Sequence, residues 1–175
     1  PGMEINTSEE VHAVCLFPNL EAALCFDSYV YGKLIRFPNN EAIFGKQQIY
    51  NEQDQVCGTE PNLLINATEI SFDGLWELVR SYGGVMFPAH VDKTANSLIA
   101  NLGFIPPDSR FRTAEVKDLK KLHQLQKDNP YLDKCRIISN SDAHYLEHMN
   151  EPELTLQVEE KTVQGIIDAL LDGAG

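Results

Sequence analysis

The stretch SNSDAHYLEHMN, residues 139–150, places an aspartate and two histidines directly after the apolar pair Ile137 and Ile138. One residue separates Asp142 from His144, and in an extended segment that spacing turns both side chains to the same face. Two ligands on one face can grip one cation or two adjacent ones. Glu4 leaves the short run GMEI and His12 enters the next apolar run, VHAVCLFP, so a tight connection through NTSEEV holds these two near each other. His90 follows VMFPA, again where a strand hands over to a loop. Sites in α/β barrels and open sheets are assembled at the carboxyl ends of strands, which puts three of these groups at one rim. Imidazole is a borderline-soft donor and carboxylate tolerates hard cations, so a mixed set suits zinc, manganese or iron.

Each of these signals alone is ordinary, since an isolated DxH is commonly a turn and an isolated histidine after a strand is commonly structural. Their coincidence carries the metal reading. His123, on the lysine-rich stretch KDLKKLHQLQKDN, reads as a surface or half-buried residue. His148 shares a helical face with His144 only if YLEHMN is helical, and it reads as ordinary. Glu115 ends a strand on the same rim, where it stands equally as a ligand or as a carboxylate behind the ligands.

The elements that must position these residues follow from apolar periodicity. VHAVCLFP reads as a strand, and LEAALCFDSYVYGKLI as a helix introduced by Asn19. Residues 36–61 lose the pattern and read as a loop-rich insertion in which only IFGKQQIYNEQ hints at a short helix. SFDGLWELVRSYGG is a helix with Ser71 placed to cap it and Gly83 and Gly84 placed to stop it. VMFPAH is a buried strand, SLIANLGF a helix, TAEV a strand, KDLKKLHQLQKDN a helix halted by Pro130, RIIS a strand, and TVQGIIDALLDG a helix closed by Gly173. This alternation predicts one α/β domain over residues 1–175 with a largely parallel sheet or barrel.

Composition narrows the partners. An apolar fraction of 43% fits a globular chain, and 26 acidic residues against 14 basic ones give a formal charge of −12. That charge argues against duplex nucleic acid or an anionic membrane as a partner of this chain alone. Cys15, Cys25, Cys57 and Cys135 form no CxxC pair, and two of them sit in apolar runs, which predicts reduced, buried thiols and a cytoplasmic location. No stretch is apolar and long enough to span a bilayer, and no basic-then-apolar leader opens the chain.

PGMEINTSEEVHAVCLFP, PAHVDKTANSLIANLGFIP and SNSDAH together resemble the later motifs of the PHP family, the polymerase and histidinol phosphatase metallo-phosphoesterases. The resemblance runs in the same order over most of the chain and weakens across residues 36–61. It implies an α/β fold of the distorted (β/α)7 PHP barrel type, incomplete here, with divalent metal ions at its carboxyl-end rim. It implies that Glu4 bridges two metals, that His12, His90, Asp142 and His144 are metal ligands, and that Asp142 and His144 also orient the attacking water. A basic side chain should meet the phosphate, and Lys93 and Arg112 are the candidates. The expected activity is hydrolysis of a phosphate ester, in a phosphorylated small molecule or nucleotide, by a metal-activated water. The alternative is a non-catalytic scaffold or metal-binding module of a larger nucleic-acid enzyme. The family's HxH motif and a further aspartate-histidine motif precede the part that PGME matches. The chain is therefore expected to hold about half of the ligands, to be inactive alone, and to self-associate or take the missing N-terminal half from a partner.

Overall fold

Gly2–Asn6 (β1) and His12–Leu16 (β2) fold back on each other through residues 7–11, and this hairpin organises the rest of the chain. Buried Thr7 closes the turn: its carbonyl accepts from Glu10, and its hydroxyl and backbone N–H both engage Val11. A computed structural model of the chain describes residues 1–152 and 154–173.

After β2 the chain forms the helix Leu20–Lys33 (α1), which Asn19 caps by accepting from the Ala22 N–H at 2.8 Å. Glu41–Phe44 (α2) is a single turn, and Gln48–Tyr50 (β3) pairs with Val56–Thr59 (β4) in an antiparallel hairpin. The predicted short helix in this insertion is thus split: its first residues end α2 and its middle is a strand. Polar side chains bonded to backbone hold the segment, notably Gln47 to the carbonyl of Asn62 at 2.6 Å and Asn39 to that of Gly45 at 2.8 Å. Most of its large apolar side chains, including Phe37, Ile43, Phe44, Ile49 and Tyr50, are exposed.

Phe72–Ser81 (α3) starts where predicted, with Ser71 accepting from the Gly74 N–H and the Glu9 carboxylate accepting from the Phe72 N–H. It stops at Gly83, whose φ of 73° needs a residue without a Cβ. Val85–Pro88 (β5) then joins the first sheet, pairing antiparallel with β2 in the register Ala13 to Pro88 and Leu16 to Val85. Leu98–Leu102 (α4) leads to Thr113–Glu115 (β6), and Leu122–Asp128 (α5) leads to Arg136–Ile138 (β7). β6 and β7 pair in parallel, as a strand–helix–strand crossover requires. Val163–Asp172 (α6) is capped by Thr162 and closed by Gly173.

The β2–β5 ladder has two buried faces, which is why VMFP is apolar without alternation. Ala13, Cys15 and Met86 face the main core with Phe17, Phe26, Leu75, Val79, Leu98 and Leu132. Val85 and Phe87 face the other way onto Ile167 and Leu170 of α6, with Val14 and Leu16 packed beside them. Cys15 and Cys135 are buried, and burial pushes the Cys135 thiol up to about 12. Cys25 and Cys57 are exposed against expectation: α1 turns Phe26 inward instead of Cys25, and Cys57 lies on the exposed strand β4.

The expected barrel is overturned. The strands lie in one three-stranded antiparallel sheet (β1-β2-β5), one antiparallel hairpin (β3-β4) and one parallel pair (β6-β7), and no closed barrel is formed among the described residues. The largely parallel sheet fails for the same reason. A connection as short as residues 7–11 can only return a strand antiparallel, whereas a parallel neighbour needs a crossover of a dozen residues or more. Strand–helix alternation fixes the order of elements but not their direction, and among the described residues only the β6 to β7 passage realises the parallel arrangement. No helix among the described residues is long and apolar enough to cross a membrane.

Candidate metal centre

In the β1–β2 register Glu4 lies opposite Val14 and Asn6 opposite His12, so Glu4 and His12 are diagonal neighbours on one face. His12 Nδ1 is 2.8 Å from Glu4 Oε1. β5 brings the third member. Its ladder continues through the Ala89 N–H, which donates to the carbonyl of His12 at 3.0 Å, and at His90 the backbone turns to a φ of 30°. That departure from extended geometry ends the strand's alternation and leaves His90 Nε2 at 3.3 Å from Glu4 Oε1. Left-handed backbone at a non-glycine residue is sparsely populated and persists only where its surroundings enforce it. Here the enforcement is visible: Val91 N–H donates to the carbonyl of Glu115, and Lys93 N–H to that of His90, both at 2.9 Å.

Glu4, His12 and His90 offer ligand atoms that all lie within 4.8 Å of one another. Two ligands on a tetrahedral zinc, each bonded at about 2.0–2.1 Å, stand roughly 3.3 Å apart, close to the separations seen here. His90 is only 2% exposed, and its Nδ1 is buried without a hydrogen-bond partner. The hydrogen bonds from His12 and then His90 hold the Glu4 carboxyl well below the usual carboxylate range, so it is an anion ready to bind a cation.

Asp142 and His144 reach the same cleft by another route. β7 ends at Ile138 and Asp142 has a φ of 50°, so a turn, not a shared strand face, sets their relation. His144 Nε2 is 3.9 Å from Asp142 Oδ1, and its side chain is 81% exposed. The Asp142 carboxylate is ion-paired with Lys93, and Lys117 Nζ stands 3.8 Å from the same oxygen. Burial pushes the Asp142 carboxyl up, but the hydrogen bond and charge of Lys93 outweigh it and leave it below its ordinary value. Glu115, buried at the end of β6, is pushed up mainly by burial, and it accepts a 3.3 Å hydrogen bond from Asn140.

Glu4, His12, His90, Lys93, Asp142 and His144 line one open cleft of about 480 Å³. Arg112 is not brought there. It precedes β6, at the end of the strand opposite Glu115, and donates to the Tyr131 hydroxyl at 2.9 Å. His148 packs edge-on against the Tyr145 ring, and His123 is exposed on α5. Three further residues touch these groups without having been singled out in the sequence: Lys117 beside Asp142, Asn140 on Glu115, and Asn96, whose carbonyl accepts from the His12 N–H at 3.1 Å. Lys117 carried one usable signal, its place two residues beyond Glu115 at a strand's carboxyl end.

No protein-family model and no curated protein matches the chain. Among solved structures, the lesion-specific endonuclease PfuEndoQ from Pyrococcus furiosus is similar over 99% of this chain, with a TM-score of 0.55 and 16% sequence identity. The matched part is 39% of that protein's length. The likeness is one of fold.

Proposed function

We propose that the chain carries the metal centre of a PHP-type phosphoesterase, which hydrolyses a phosphate ester by attack of a metal-activated water. The observation that carries this reading is the convergence of Glu4, His12 and His90 from three strands or strand ends onto one point. The fold likeness to an endonuclease supports it, and makes a phosphodiester the first substrate class to try. With 12 excess negative charges on the chain, a phosphate needs local cations to approach.

The donor set, two imidazoles and a carboxylate, fits zinc, manganese or iron. Zinc held there would supply a bound water with its pKa lowered by about eight units, roughly 11 kcal/mol of differential stabilisation of hydroxide. The chain's own residues do the rest. Glu4, already ionised, supplies the negative ligand and, through its two histidine contacts, fixes both rings. Buried His90 sets the depth of the site and excludes water from its inner side. Asp142 and His144 lie across the cleft, where Asp142 can accept a proton or hydrogen bond from the attacking water. Lys93 meets the phosphate.

A second reading is a metal-binding module without turnover. It is favoured by one observation: His144 stands largely in solvent and Asp142 is engaged by lysines, so these two are not gathered with the triad. The experiment is the same for both. The purified chain is loaded with manganese or zinc, its metal content is measured by mass spectrometry, and hydrolysis of bis(p-nitrophenyl) phosphate is followed. Against the expectation that the chain is inactive alone, the phosphoesterase reading requires bound metal and metal-dependent hydrolysis, both lost in His90→Ala. Bound metal with no hydrolysis of mono- or diesters selects the second reading, and no bound metal contradicts both.

A further inference from the structure

Two ammonium groups, Lys93 in the cleft and Lys117 beside it, share the one carboxylate of Asp142. Lys93 donates to Asp142 Oδ2, and Lys117 Nζ lies 3.8 Å from that same oxygen. Their backbones are clamped. The Lys93 N–H donates to the carbonyl of His90 at 2.9 Å, and the Lys93 carbonyl accepts from the Ser97 hydroxyl at 2.7 Å. The Asp92 carboxylate receives the N–H groups of Lys117 at 2.8 Å and Asp118 at 2.9 Å, tying the loop beyond Glu115 to the loop beyond His90. Both lysine side chains are partly open to solvent, at 36% and 44%, while Asp142 is only 14% exposed. A carboxylate oxygen within ion-pair reach of two ammonium groups, beside the Glu4, His12 and His90 cluster, meets them as an anionic phosphate oxygen would.

The geometry points to Lys93 and Lys117 as the paired phosphate-binding residues of this cleft, with the Asp142 carboxylate as an internal occupant that a phosphate oxygen displaces. The inference rests on the phosphoesterase reading and adds to it a second lysine and a competition. A phosphate group that takes the lysines releases Asp142 to turn towards Glu4, His12 and His90, so anion binding and the freeing of a carboxylate for a cation are one event. A lysine pair that merely neutralises a buried carboxylate makes a different prediction: removing the carboxylate would then leave the site no better at holding phosphate.

The test is a calorimetric titration of inorganic phosphate into the chelator-treated chain at low ionic strength, for wild type, Lys117→Gln, Lys117→Arg and Asp142→Asn. Circular dichroism confirms that each variant is folded. Charge-assisted hydrogen bonds to phosphate set the expected size: Lys117→Gln weakens binding about tenfold or more, Lys117→Arg retains it, and Asp142→Asn tightens it about tenfold. Phosphate affinity unchanged in Lys117→Gln, or no tighter in Asp142→Asn, overturns the inference, as does absence of phosphate binding in both wild type and Asp142→Asn. Because no metal and no hydrolysis enter this measurement, such a result leaves the metal-content and turnover experiment to judge the phosphoesterase reading separately.

Discussion

The two sides of the cleft are built in opposite ways. On one side Glu4, His12 and His90 are delivered by the β1–β2–β5 ladder, with backbone hydrogen bonds fixing each residue and His90 buried. On the other, Asp142 and His144 hang from a turn beyond β7, and ion pairs with Lys93 and Lys117 hold Asp142 in place. A site positioned by a ladder costs little further ordering when a cation arrives, whereas one positioned by a turn must still pay for the side chains it immobilises. The ladder side should therefore set whether metal binds, and the turn side should set what happens next.

The sharpest way to break this comparison is His90→Ala. Residues behind metal ligands already contribute about 10–100-fold to affinity, so loss of a buried ligand should lower metal affinity by more than about 100-fold in a competition titration. Asp142→Ala should cost about tenfold or less in the same titration while abolishing turnover, because the triad is complete without it. Equal losses in the two variants would erase the distinction between the sides.

A smaller effect is expected in acid. The Glu4 carboxyl is held below its ordinary value in the folded chain, so the unfolded state binds more protons in that interval and stability rises with pH across it. The contribution is fully present above the ordinary carboxylate range and is lost as pH falls through the depressed folded value. In thermal melts of the chelator-treated chain, the gap between wild type and Glu4→Gln should close as pH falls below about 5. A gap that widened in acid would reverse the assignment. Smallest of all, His148→Ala should leave metal affinity within about twofold, the spread expected of a surface residue without a ligand role.

Much of the ladder side was legible in the sequence because its signals are local. Asn19, Ser71 and Gly83 mark helix ends through chemistry that acts within a few residues, and a short link between GMEI and VHAVCLFP is enough to bring Glu4 near His12. Strand direction is not local. Nothing in VMFPAH says that it runs antiparallel to HAVCL, and the parallel layout followed from alternation alone. The turn side was half legible. The spacing of Asp142 and His144 suited a strand, but the positive φ at Asp142 is set by its tertiary partners, and an aspartate tolerates that conformation without advertising it. Arg112 lies at the end of β6 away from Glu115, beside Tyr131, whereas Lys117 lies beyond the Glu115 end. In the insertion, β3 and β4 carry exposed apolar side chains without alternation, so periodicity had nothing to register.

The central claim is that a cation sits between two imidazoles and a carboxylate on the ladder side. X-ray absorption at the zinc edge of the zinc-loaded chain tests it directly. A cation held there gives a first shell of nitrogen and oxygen at about 2.0–2.1 Å with the outer-shell scattering of two imidazoles, reduced to one in His12→Ala. Sulfur in the first shell at about 2.3 Å, or a spectrum unchanged by His12→Ala, would contradict it.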